Sequence, residues 1–201
     1  MENGRTVYLL SGPAGVGKST TSTELVNRLT HSAYLSGDDI SHMHRNGREK
    51  PWESEREHDL IWNNILHLTR NFVRYGSDVV IDYIIFPKDA EWLSNQLRDF
   101  SVTIKYVVLW ADKDTLVKRD ALRNEEERMG ERCLILFDEF FQSGLNHKHL
   151  LYTSLLTPHD IQHVVREIET DNRFIAHIKN MRPEKLHVSC GKSCGRSLFF
   201  K

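Results

Sequence analysis

Gly12-Pro13-Ala14-Gly15-Val16-Gly17-Lys18-Ser19 sets glycines ahead of a lysine and a hydroxyl in the spacing G-x-x-x-x-G-K-[ST]. Those residue types in that order suit the cradling of nucleotide phosphates. Phosphate oxygens must approach the backbone closely, and a Cβ would stand in their way. Successive N–H groups turned inward make an anion nest, and a helix starting at Lys18 adds its positive end. The Lys18 ammonium then lies across the β- and γ-phosphates, the Ser19 hydroxyl ligates magnesium, and Thr20 contacts the α-phosphate. A glycine-rich turn with no ligand is the plain alternative. The context favours the cradle: apolar "TVYLL" precedes the loop and helical "TSTELVNRLT" follows it.

A phosphate held there needs somewhere to go, and transfer to a hydroxyl needs a group to orient it and take its proton. In parallel α/β sheets that chemistry gathers past the carboxyl ends of the strands. Acids fall there at Asp38 and Asp39, at Asp82 within "VVIDYIIF", and at Asp112. Either member of the doublet could instead cap a helix beginning near Ile40. A charge in the apolar run around Asp82 requires a partner. That partner is either magnesium, reached through water, or the substrate; otherwise it is a structural arginine.

The elements that must position these groups read as alternating strands and helices, the pattern of a parallel sheet with helices on both faces. Apolar runs at 6–10, 33–36, 78–86, 104–110 and 149–153 are strand candidates. Several are continuous rather than alternating, as in strands buried on both sides. Helical patterns occupy 18–30, 54–75, 88–98, 114–124 and 131–143. In 54–75, Ile61, Ile65, Leu68 and Phe72 form one stripe, and Gly76 supplies a stop. "TPHD" at 157–160 starts another helix, with Thr157 as cap and Asp160 three residues on.

The chain has 201 residues, 39% hydrophobic and 27% charged, which suits an α/β domain over 1–182 and excludes disordered and fibrous classes. A net charge of -1 gives no general attraction to nucleic acid or anionic membrane, and no apolar run approaches the ~20 residues of a membrane span. Three cysteines and no leader-like start point to a reducing, cytoplasmic setting. Residues 183–201 carry no period and read as a flexible tail. His187, Cys190 and Cys194 within it lack the fourth ligand of a closed zinc site.

With its flanks, "YLLSGPAGVGKSTTSTEL", followed by "YLSGDDI", resembles the small P-loop kinases, nearest the gluconate-kinase-like and chloramphenicol-phosphotransferase-like group. "GDDISHMHRNGREKPW" resembles the gluconate-kinase stretch of a Gly-Asp pair, a His/Met helix and a Pro-Trp. The resemblance spans most of 6–170. It implies a three-layer P-loop NTPase fold, with a five-stranded parallel sheet ordered 2-3-1-4-5 and a helical lid at about 118–145. It further implies transfer of the ATP γ-phosphate, with Mg2+, to a small-molecule acceptor.

On that resemblance Asp38 is the preferred base, with Asp39 its competitor. His42, Trp52, Asp82 and Tyr83 line the acceptor pocket, although His42 and its neighbour His44 fit a solvated helix face equally well. Lid arginines stack on adenine or neutralise the transferred phosphoryl group; Arg123 and Arg132 lead, with Arg119 and Thr153 on the nucleotide side. The bland reading is a charged surface helix, with Glu125, Glu126 and Glu127 as partners. The later substrate-loop pattern is only partly present, which argues against gluconate itself. Two other readings compete: an ATP-binding regulatory or resistance protein without an acceptor, and a nucleoside monophosphate or polynucleotide kinase. Against the last, Arg45, Arg48, Lys50 and Arg56 are mixed with Glu49, Glu53 and Glu55, a poor strand-binding track.

Overall fold

A computed structural model describes residues 4–125 and 128–176. Its sheet has five strands: β1 Arg5–Ser11, β2 Ser32–Ser36, β3 Asp78–Asp82, β4 Val102–Trp110 and β5 Leu150–Tyr152. All four ladders are parallel, in the order β2-β3-β1-β4-β5. This is the three-layer arrangement and strand order the sequence predicts. His187, Cys190 and Cys194, and the tail that carries them, lie outside the described residues.

The continuous apolar runs are explained by burial on both faces. On one side Val7 and Leu9 of β1, Val79 and Ile81 of β3, and Tyr106 and Val108 of β4 pack with α3 (Glu55–Arg74) and α4 (Pro87–Gln96). Ile61, Trp62, Ile65 and Leu66 supply the apolar stripe of α3. Truncating a fully buried Ile61 or Ile65 to alanine costs about 2–5 kcal/mol. On the other side Tyr8, Leu10, Val80, Val107 and Leu109 pack with Leu25 of α1 (Lys18–Arg28) and with Val164, Val165 and Ile168 of α7 (Ile161–Thr170). Lys105, a buried charge in β4, donates from Nζ to the carbonyls of Ile168, Glu169 and Asp171 at 3.0, 2.6 and 3.2 Å. It thereby satisfies the carbonyl end of α7, where a cation is favoured.

Helix boundaries follow local signals. Ser54 accepts from the Glu57 amide and starts α3, and Gly76 ends it with φ 79°. Thr157 and Asp160 form a reciprocal capping box, through a 3-10 turn at Pro158–Asp160, ahead of α7. Two expectations need correction. The third strand stops at Asp82 instead of running to 86, because the Ile85 backbone is held by side chains and not by a backbone ladder: its N–H donates to Ser11 Oγ at 2.8 Å, and its carbonyl accepts from the Ser11 and Tyr106 hydroxyls at 3.0 and 2.6 Å. Neither acid of the doublet caps the next helix: α2 (Gly37–Met43) is capped by Ser36, whose Oγ accepts from the Asp39 amide at 3.1 Å.

Candidate functional site

The site grows from the carboxyl ends of β1, β2 and β3. The register pairs Asp82 with Leu10 on one side and Ser36 on the other, so three loops leave the sheet at one level. The glycine loop departs from β1, α2 and its acids from β2, and the Tyr83–Phe86 connection from β3.

Gly12 cannot be replaced without moving the sheet, since its φ is 135° and a Cβ would lie 2.3 Å from the Leu109 carbonyl oxygen. Gly17 is different: a Cβ there meets nothing within 4 Å. The side of the loop at which α1 begins is therefore open, as an anion cradle requires. Lys18 folds back across the loop, with Nζ donating to the carbonyls of Gly12 (3.0 Å) and Pro13 (3.1 Å). Burial lowers its pKa, while the nearby Asp82 and Asp38 carboxylates pull it the other way. Behind the loop sits α5 (Lys113–Ala121); Arg119 donates from Nη1 to the Val16 carbonyl at 3.5 Å.

Asp82 is buried, and its partner is the Tyr34 hydroxyl, which donates to Oδ2 at 2.9 Å; an arginine does not fill that role. Ser19 lies close enough to Tyr34 to influence its hydroxyl, so Ser19, Tyr34 and Asp82 gather as one polar group beside Lys18. A hydroxyl and one carboxylate suit magnesium, which keeps several waters and leans on substrate phosphates. Among the described residues no cluster of three or more His, Cys, Asp or Glu could hold a metal alone, so Ser19 and Asp82 would serve as a phosphate-completed site.

Asp38 stands in the first turn of α2. Its side chain reaches solvent, but the protein packed around it partly desolvates the carboxylate and raises its pKa; Lys18 opposes that, and Asp82 adds to it. Asp39 points its influence toward Tyr34. Asp112 is the helix cap of α5, accepting from the Thr115 amide and hydroxyl, which hold its carboxyl at about 2. His42 bonds within its own helix, Nδ1 donating to the Asp38 carbonyl at 2.6 Å. His44 does not lie on a solvated face: Nδ1 meets the buried Glu57 carboxylate at 2.9 Å and ties α2 to α3.

Tyr83 separates the phosphate side from a wide cavity. Its ring lies against Gly37, where a Cβ would come within 2.2 Å of Cγ and Cδ2. Burial raises the pKa of its hydroxyl, with Asp38, Asp89 and Glu57 adding to that and Arg48 opposing it. The cavity has a volume of about 1120 Å³ and is walled by Trp52, Trp62, Trp92, Tyr83 and Phe86. Arg132, from α6 (Glu131–Gln142), lies in this cavity, bonded to Glu139 at 3.0 Å and over the Trp52 ring at 5.3 Å. Arg123, in the stretch after α5, is the arginine of the two whose charge reaches Lys18. The expected arginine pair is thus divided between the two halves of the site.

Arg119 and Thr153 do meet. Arg119 donates to Thr153 Oγ1 at 3.2 Å, to the Thr153 carbonyl at 2.7 Å and to the Leu156 carbonyl at 3.2 Å. This fixes the loop after β5 against α5. Asp120 escapes a reading of the sequence altogether. It is buried and accepts from the amides of Met129 (3.1 Å) and Gly130 (2.8 Å), holding the loop that carries Arg123.

A parallel 2-3-1-4-5 sheet with this loop leaving β1 defines a P-loop protein of the kinase type. The chain belongs to the AAA domain family, whose model matches residues 7–134. No curated protein matches the sequence. Among solved structures it is similar to a sugar kinase from a Janibacter species, at 11% identity over 87% of this chain and 100% of that one, with a TM-score of 0.60. A gluconokinase from Sinorhizobium meliloti matches at 14% identity over 83% of this chain and 90% of the other, TM-score 0.58. The tunicamycin resistance protein of Deinococcus radiodurans matches at 19% identity over 82% and 93%, TM-score 0.53. Identities this low speak for the shared fold. Among the described residues no helix is long and apolar enough to cross a membrane.

Proposed function

We propose that the protein is an ATP-dependent phosphotransferase, moving the γ-phosphoryl group to a hydroxyl of a small molecule. The observation that carries this reading is the placement of Asp38 and Asp82 within electrostatic reach of Lys18, with a 1120 Å³ cavity on the far side of Tyr83. A protein that only held nucleotide would need the cradle but not the second chamber.

In this reading the amides along Gly12–Thr20 surround the phosphates, Ala14 and Val16 contributing backbone N–H alone, while Pro13, which has no N–H, shapes the turn. Lys18 exchanges its two carbonyl partners for β- and γ-phosphate oxygens. Ser19 and Asp82 hold Mg2+, which when bound neutralises phosphate charge. Asp38 orients the acceptor hydroxyl and accepts its proton; a carboxylate with a raised pKa is better matched to that task than an ordinary one. Arg123 stabilises charge on the moving phosphoryl group. Arg119 and Thr153 shape the wall against which the base rests. His42, Trp52, Tyr83 and Arg132 face the acceptor.

The test is Asp38→Asn, assayed with labelled ATP and a panel of sugars, nucleosides and antibiotic-like alcohols. ATP affinity is expected to stay within about threefold, while transfer falls by the 10²–10⁴-fold typical of a lost general base. Wild-type transfer by the variant removes Asp38 from the role. Hydrolysis of ATP with no labelled acceptor, by the unaltered protein, favours a regulatory nucleotide-binding role.

A further inference from the structure

We infer that the acceptor is an alcohol bearing an amine and an aromatic or apolar face, and not a sugar acid or a nucleotide. The inference rests on the phosphotransferase reading and deepens it.

Size is the first argument. At about 1120 Å³ the cavity exceeds the usual ~300–1,000 Å³ of small-molecule sites. It has room for much more than a six-carbon sugar.

The walls are the second. Three of the chain's four tryptophans, Trp52, Trp62 and Trp92, line this one cavity. Trp62 meets Trp92 at 6.2 Å with an interplanar angle of 72°, and Tyr83 at 6.1 Å and 63°. Trp62 and Tyr83 are buried in this edge-on arrangement, so the ring surface open to a guest is that of Trp52 and Trp92, and indole faces attract cations as well as apolar groups. Trp52 already shows this property: Arg132 and Lys50 lie over it at 5.3 and 5.8 Å.

Charge is the third. The lining carries the carboxylates of Glu53, Glu55, Asp59, Asp89 and Glu139 against the permanent cations of Lys88 and Arg132. Lys50, paired with Glu53 at 3.1 Å and lying over Trp52, is counted beside them, so five against three leaves a surplus of two negative charges, or one with His58 protonated. Arg132 and His58 are also engaged. Arg132 pairs with Glu139 at 3.0 Å, and His58 with the buried Asp89 at 3.3 Å. Glu55 and Asp59, at i and i+4, share a face of α3; the Asp59 side chain is 78% exposed. An anionic acceptor would enter this lining against its field. An amine would enter with it and rest between tryptophan faces.

The test uses matched probes that share a phenyl group and an alcohol. Phenylalaninol carries the amine, N-acetylphenylalaninol is neutral, and 3-phenyllactate is anionic. Binding is followed by tryptophan fluorescence, which the clustering of three indoles makes sensitive to this cavity. The amine is expected to bind about tenfold more tightly than its neutral analogue, the effect of one unit charge about 6 Å away at an effective dielectric constant of about 40. The anion is expected to bind weakest. In the double variant Glu55→Gln/Asp59→Asn the amine's advantage is expected to shrink to about threefold or less.

The inference is overturned if 3-phenyllactate binds as well as phenylalaninol. It is equally overturned if the double variant keeps the full advantage, or if phenylalaninol gives no saturable change in the millimolar range. ATP binding, measured by calorimetry on the same preparations, reports on the phosphotransferase reading separately. Its loss would sink that reading whatever the three probes show.

Discussion

Asp120→Ala tests how the loop carrying Arg123 is held. Asp120 is buried at the end of α5, with the Met129 amide at 3.1 Å from each carboxylate oxygen and the Gly130 amide at 2.8 Å from Oδ2. Hydrogen bonds to a charged acceptor each contribute about 1.5–3 kcal/mol. The total must be discounted twice. Gly130 is exposed, so water can replace its lost partner, and alanine also removes the cost of burying a carboxylate. A net loss of about 1–3 kcal/mol is expected in urea denaturation. The effect should also be local, because Asp120 stands behind the phosphate loop. A Cβ added at Gly15 would lie 3.6 Å from the Asp120 amide nitrogen. Hydrogen exchange read by mass spectrometry should show the Met129 and Gly130 amides exchanging at least about tenfold faster, with the β1 amides unchanged. Asp120→Asn, which keeps one acceptor oxygen, should fall between. Unchanged exchange at Met129 and Gly130 in the alanine variant would refute the assignment.

Gly37→Ala should push Tyr83 from its seat, since the new methyl would stand 2.2 Å from the ring, and an overpacking cost of about 1–3 kcal/mol is expected; a thermal midpoint equal to wild type would contradict it. His58 has a raised pKa, chiefly through its hydrogen bond to Asp89, so its contribution to stability is complete below its ordinary 6.5 and is lost as pH rises from there through the folded value. Urea titrations across that window should show falling stability in the wild type and a flatter profile in His58→Gln; parallel profiles would remove the pair from the account.

The strand segments and the phosphate loop were legible because both are written locally, whereas the strand order came with the family resemblance. A strand, a glycine turn and a helix follow one another within about twenty residues, and each announces itself by period or residue type. The missed features depend on pairs far apart in sequence. Ser11 holding Ile85, His44 reaching Glu57, and Gly37 receiving the Tyr83 ring become neighbours only when β1, β2 and β3 are side by side. Nothing in "YIIF" says that its middle residue will bond to a serine of the first strand. One signal was present and unread. Ser36 followed by Asp39 fits the pattern of a helix cap and its third residue, and the structure uses Ser36 in that way. The division of Arg123 from Arg132 had no such signal, since both sit in one charged stretch.

The central claim is that the amides around Gly12 to Thr20 hold the phosphates of ATP. Isothermal calorimetry of the unaltered protein with ATP and Mg2+, beside Lys18→Ala, tests it most directly. The account predicts saturable binding by the wild type, weakened at least about tenfold in the variant. No heat of binding for the wild type, or equal affinity in the two proteins, would contradict it.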